Sequence, residues 1–270
     1  MPDPRGAVVT AARDIARLVI PVECPGCGRR DETLCAACAR VLAQPVRRCE
    51  ADVPRLDRMD GIPPLPVWAV GPYLGAMRGV VVAWKDRGRA DLTAPIVAAA
   101  RRAGRDVGAA LAPALGSEPV RLVPVPSTGA ARRRRGADLV GLLARGAAEG
   151  LSDSGLRALV VPALRRRRSR DQVGLGARAR GSNTSGGFEV RRRAADPAGR
   201  YHLLVDDVVT TGSTLAACER QLTRRGGLVL GALVLAATPS PTGASGASDA
   251  RLSNRPPLRG RLGGPTEEAR

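Results

Sequence analysis

Apolar residues run through the chain in two rhythms that alternate. Met77, Val80, Val81 and Trp84 fall three or four apart, the spacing of one helix face, and the stretch 69–92 around them reads as a strand, a turn and a helix. Ala-rich or amphipathic helices are also expected over 94–115, 136–149 and 213–226. Between them lie short apolar runs of strand length: VRLVPVPST at 120–128, LRALVVPAL at 156–164, YHLLVDD at 201–207 and LVLGALVLAA at 228–237. Strands that alternate with helices predict an α/β fold, a parallel sheet with helices on both faces. Outside this frame the pattern changes. Residues 1–20 carry a helical period (Val8, Ala12, Ile15, Leu18, Val19), and 45–66 are rich in Pro, Arg and Asp and read as a linker. Residues 169–183 are Gly-rich and basic and read as a long loop, and 239–270 lack periodicity and read as a disordered tail. The expected organisation is an N-terminal helix and cysteine module over 1–50, a linker over 51–66, an α/β domain over 67–238 and a tail over 239–270.

Composition refines this picture. Hydrophobic residues make up 44% of the 270 residues but aromatic ones only 2%, so the core must be built from Val, Leu and Ala. The formal charge is +18, and between Arg121 and Arg193 there are 17 Arg against 5 acidic residues. Such a field suits polyanions, whether phosphorylated metabolites or nucleic acid; a solvated basic surface is the plainer alternative for any one Arg run. Lys85 is the sole lysine among 43 basic residues. A compact ammonium can approach an anion where a guanidinium is too broad, so Lys85 is a candidate site residue. Charges break up the N-terminus and the longest apolar stretch falls short of the ~20 residues of a membrane span. A soluble, cytoplasmic protein without a membrane span is expected.

Six cysteines stand at 24, 27, 35, 38, 49 and 218. CPGCGRRDETLCAAC at 24–38 holds two C-x2-C pairs, and Cys24, Cys27, Cys35 and Cys38 together offer four thiolates for a structural zinc. Two unconnected reduced pairs are the alternative. Cys49 and Cys218 read as ordinary small residues.

In LLVDDVVTTGST (203–214), an apolar strand leads to Asp206 and Asp207, which are expected to emerge at the strand's carboxyl end, where open α/β sheets bind ligands. Thr210, Thr211, Gly212, Ser213 and Thr214 then open a helix whose first N–H groups suit a phosphate monoester. Neighbouring carboxylates repel. A sugar cis-diol, with or without magnesium, relieves that cost. A strand-to-helix turn with a Ser/Thr cap is the simpler reading, and it leaves the second Asp unexplained.

VDDVVTTGST resembles the phosphoribosyl-pyrophosphate (PRPP) motif of type I phosphoribosyltransferases. With CPGC…CAAC, PYLGAMRGVVVAWKDRGR, LVPVPST and DQVGLGARARGSNTSGGFEV, the chain resembles the ComF-type branch, named for a role in natural competence. Those proteins join a four-cysteine zinc motif to a phosphoribosyltransferase-like domain. The resemblance covers roughly 20 to 237. It departs where the family has Arg-Gly-Phe-Asn-Gln and this chain has Arg135, Gly136, Ala137, Asp138 and Leu139. It implies a type I phosphoribosyltransferase-like fold, with Asp206 and Asp207 on the ribose hydroxyls and their magnesium, and Thr210–Thr214 on the 5′-phosphate. Val125, Pro126 and Ser127 would form the pyrophosphate loop. Residues 165–183 would close over the reaction centre, with Lys85, Arg165, Gln172 and Arg178 as candidate catalytic residues. Ser127 is not expected to act as a nucleophile, and His202 is expected to be a structural strand residue. The implied activity is magnesium-dependent phosphoribosyl transfer from PRPP. The alternative is a non-catalytic DNA-uptake or repair factor that binds single-stranded DNA with PRPP as effector.

Overall fold

The computed structural model describes residues 22–56, 61–128, 136–167, 187–191 and 196–240. The expected helix over 1–20 and almost all of the expected tail lie outside them, as do Gln172 and Arg178. In chain order the strands are β1 (Arg47–Arg48), β2 (Val67–Pro72), β3 (Val120–Pro124), β4 (Ala158–Val160), β5 (Leu164–Arg166), β6 (Phe188–Val190), β7 (Tyr201–Val209) and β8 (Leu228–Ala237). The helices are α1 (Ala36–Leu42), α2 (Gly75–Lys85), α3 (Thr93–Leu115), α4 (Leu139–Asp153) and α5 (Ser213–Thr223). Six strands form the main sheet in the order β1-β2-β8-β7-β3-β4, and β5 pairs with β6 in a separate antiparallel ribbon. Only β1 runs antiparallel in the main sheet. The carboxyl ends of β2, β8, β7 and β3 therefore share one edge. No helix among the described residues is long and apolar enough to cross a membrane.

The apolar runs are continuous because both faces of the sheet are covered. Along β2, Trp68 and Val70 turn to a first core with α2, α3 and α4, while Val67 and Ala69 turn to a second core with α5. Leu203 and Val205 of β7 join the first core and Leu204 the second, the period-2 alternation of a strand.

Two expectations change. The stretch 156–164 is not one strand: Pro162 has no N–H to continue a ladder, so β4 stays on the main sheet while β5 leaves it to pair with β6. Within 51–66, the described residues 51–56 and Leu65 pack against the domain. Two 3-10 turns, Glu50–Asp52 and Pro54–Leu56, carry Val53 and Leu56 into the second core, and Leu65 follows them. The apolar residues inside this Pro- and Arg-rich stretch were too sparse and unevenly spaced to show as a period.

With few aromatics to fill space, helices approach closely through small residues. A Cβ added at Gly150 of α4 would run into the carbonyl of Arg101, and one at Gly104 of α3 into that of Ala147. Backbone cannot yield cheaply, so Gly150→Ala is expected to destabilise the fold by about 1–3 kcal/mol, read as a lower urea midpoint at unchanged slope.

His202 is fully buried in β7, with Nε2 3.3 Å from the Pro197 carbonyl and Nδ1 without a partner. Burial holds its pKa below the usual histidine value, with the charge of Arg121 adding to the effect against the Pro197 carbonyl. The unfolded chain then takes up a proton more readily than the native one. The stability this neutral imidazole allows is present above the unfolded pKa, roughly 6.5, and is lost as pH falls through the depressed folded value. The melting temperature should drop from pH 7.5 to 5, and His202→Gln should show a shallower drop.

Candidate functional site

The four cysteines meet. Their sulfurs all lie within 4.8 Å of one another, and Cys27 Sγ is 3.6 Å from Cys35 Sγ. Tetrahedral zinc with Zn–S of about 2.3 Å sets its sulfurs roughly 3.8 Å apart, so the cluster fits that ion. The first knuckle closes through Gly28 N–H to the Cys24 carbonyl at 2.8 Å, with Gly28 at a φ of 76° that suits glycine. Cys35 caps α1 and accepts from Cys38 N–H. The thiols are uneven: burial raises Cys24, yet N–H groups of Cys35, Gly26 and Cys27 bring it down to about 6, whereas burial and the neighbouring sulfurs push Cys38 up. Metal binding removes that difference by taking all four as thiolates.

The module rests on α2. A Cβ at Gly79 would strike the Pro25 carbonyl, and one at Gly26 would stand 3.1 Å from Ala76 Cβ. Just beyond α2, Arg89 donates to the carbonyls of Glu23 and Thr33, each at 3.1 Å, and to both oxygens of Asp91.

From the last residue of α2, Lys85 reaches one member of the acidic pair. Its Nζ lies 2.8 Å from Asp207 Oδ1 and 2.7 Å from Oδ2. The two acids stand within β7 rather than beyond its end, because the ladder to β8 continues to Val209 opposite Ala237. Inside a strand, neighbours turn to opposite faces, and their partners differ accordingly. Asp207, nearly buried, meets Lys85 on the first-core side. Asp206, half-buried, sits in the field of Arg166, and its charge is felt by Cys218 of the second core. Burial pushes Asp206 up to about 8, the charge of Asp207 adds to this, and the Asp207 N–H, Lys85 and Arg166 work against it.

After β7, Thr210 and Thr211 are exposed and Gly212 takes a φ of 80° as the N-cap of α5. No side chain caps the helix, although Ser213 N–H and Oγ lie 3.5 and 3.3 Å from Thr211 Oγ1. The first turn of α5 follows the carboxyl end of β7 at the shared edge, and N–H groups so placed can bind an anion. The packed 3-10 segment supports this loop from below: Arg55 N–H donates to the Thr211 carbonyl at 2.9 Å, and Gly212 has no room for a Cβ beside Val53 and Leu56. Beside it, Val125 extends the β3–β7 ladder through its N–H to the Val205 carbonyl, and Pro126 and Ser127 follow half-buried.

Arg165 is turned away, paired at 3.0 Å with Glu189 on the exposed side of the β5–β6 ribbon. Its neighbour Arg166 is the one that faces the site. It donates from Nε to the Pro126 carbonyl at 3.0 Å and stacks over Phe188 at 4.9 Å. The run RRRR gives no phase, so nothing in it marks which arginine turns inward; the alternation of β5 decides. Asp138, where the resemblance departs, accepts from Gly141 N–H as the N-cap of α4.

The phosphoribosyl transferase domain family matches residues 83–259, more than half of the chain. Among solved structures, the chain is similar to a hypoxanthine phosphoribosyltransferase from Staphylococcus aureus, at 17% identity and a TM-score of 0.31, over 52% of this chain and 64% of that one. It is also similar to an adenine phosphoribosyltransferase from Saccharomyces cerevisiae, at 15% identity and a TM-score of 0.33, over 75% and 89%. The chain thus spans about two thirds of the length of the first of these. No curated protein matches.

Elemental analysis of protein purified under reducing conditions should find one zinc per chain. Cys35→Ser should lose it and loosen the module, and a wild-type preparation without zinc would refute the assignment.

Proposed function

The chain belongs to the phosphoribosyl transferase domain family, and from that premise we propose that it binds PRPP and transfers its phosphoribosyl group to an acceptor. The observation that carries this reading is the acidic pair of β7 followed, on the same sheet edge, by the uncapped N-terminus of α5. The first is suited to ribose hydroxyls and the second to the 5′-phosphate. Asp206, near the carboxyl end of β7, and Thr210–Thr214, which directly follow the strand, are close in sequence, as those groups are close on one sugar phosphate.

In the proposed reaction a nucleophilic atom of the acceptor forms a bond to ribose C1, and the C1–O bond to pyrophosphate breaks with its electron pair leaving on oxygen. Magnesium, held through Asp206 and the ligand's own oxygens, would supply charge neutralisation for the leaving group. The loop Val125–Ser127 offers backbone to the pyrophosphate, and Arg166 fixes that loop through Pro126. Lys85 and Arg166 hold positive charge at the edge where negative charge develops. A ComF-type protein, with its zinc motif ahead of the transferase domain, is the narrower reading, supported by the four-cysteine cluster. The acceptor is left open in this proposal. Single-stranded DNA fits less well: Trp68, Trp84 and Phe188 are buried, so among the described residues they cannot form the stacking platform that such strands use.

PRPP with magnesium should raise the melting temperature, by about 2.7 kcal/mol of stabilisation at a hundredfold excess over Kd. Asp206→Asn should remove this response. Because the native carboxyl resists ionisation, the same variant should be at least as stable as wild type without ligand. A full PRPP response in Asp206→Asn would overturn the role of this carboxylate.

A further inference from the structure

The acidic pair is not equally open to a cation. We infer that Lys85 is the built-in counter-cation of Asp207, so that a divalent metal arriving with PRPP is held through Asp206 and the ligand and never by Asp207. This rests on the proposed reading of the site and divides the roles of its two carboxylates.

The geometry is specific. One ammonium lies 2.8 and 2.7 Å from the two oxygens of Asp207, and the same Oδ1 also accepts from Val208 N–H at 2.8 Å. The Asp207 side chain is only 6% exposed. Magnesium binds carboxylate oxygen at about 2.1 Å and keeps most of its waters in an octahedron. At Asp207 the ammonium already stands against both oxygens, and little solvent reaches them. A divalent ion there would also be driven off by the like charge of Lys85. Asp206 differs in two respects: part of its surface stays open, and among the described residues no ion pair holds its carboxylate.

Lys85 is also held where it is. It ends α2, whose Gly79 is pressed against Pro25 of the cysteine knuckle, and Arg89 ties the following turn to Glu23 and Thr33. The preceding residue, Trp84, is buried and donates to Thr93 Oγ1 at 3.0 Å. The cysteine module thus braces the helix that delivers the cation. The choice of lysine at this one position fits the role, because a compact ammonium can sit between two oxygens of a nearly buried carboxylate.

The test uses the full zinc-loaded chain and a divalent metal alone. Manganese is titrated and followed by the electron paramagnetic resonance of the free ion, and the melting temperature is read with and without magnesium. Lys85→Met should gain a manganese site absent from wild type and a magnesium-dependent rise in melting temperature, and Lys85→Met with Asp207→Asn should lose both. Lys85→Arg, which keeps the charge, should gain neither. Manganese bound by wild type and lost in Asp207→Asn would overturn the inference, as would a folded Lys85→Met that gains no site. Should Lys85→Met fail to fold, Lys85→Gln serves in its place, and the wild-type titration stands without either variant. No PRPP is present, so failure here is distinct from failure of wild type to respond to PRPP.

Discussion

Two carboxylates on consecutive residues of a sheet covered on both faces repel each other and resist losing water, and each can stay only if something offsets its charge. Asp207 is offset by Lys85, which arrives from a helix 122 residues earlier in the chain. Asp206 forms no ion pair among the described residues, and burial with the charge of Asp207 holds it partly neutral against the pull of Lys85 and Arg166. The pair is therefore asymmetric before any ligand arrives, one acid satisfied and one in waiting. The placement of α2, with the cysteine module packed along it, brings Lys85 to Asp207.

The cysteine module acquires a mechanical role in this view. It is small, and its own buried cluster consists chiefly of Cys24, Cys35 and Cys38, too little to fold on apolar burial alone. A metal held by the four cysteines would supply the missing cohesion. The module then serves the rest of the chain through Gly79 and Arg89. The segment of Val53 and Leu56 does the same for the loop after β7 through Gly212. Both structures sit ahead of the transferase core in sequence, and both press on its binding edge.

Much of this was legible in the sequence. The alternation of apolar runs gave the α/β frame, and the C-x2-C spacing gave a cluster that closes as zinc requires. The acidic pair and the turn after it stood out because two adjacent acids lack a purely structural reason. What escaped was phase and distance. Arg165 and Arg166 are identical letters, and only the strand geometry turns one to Glu189 and the other to Pro126. Lys85 stood out as an exception in composition, but its partner lies across the fold, and no local pattern names it. The packing of Val53, Leu56 and Leu65 was hidden because these residues follow irregular turns rather than a helix or strand period.

The scarcity of aromatic residues has an optical consequence. The chain has two tryptophans, and both lie in the first core: Trp68 on β2 beneath the guanidinium of Arg48, and Trp84 on α2 beside Lys85. The second core, on the side of α5, contains none. Intrinsic fluorescence therefore watches the cysteine-braced half of the molecule and is blind to loosening of the other. Trp84 in particular is a native chromophore one residue from the ammonium that neutralises Asp207, so its emission reports the environment of that helix end without any label.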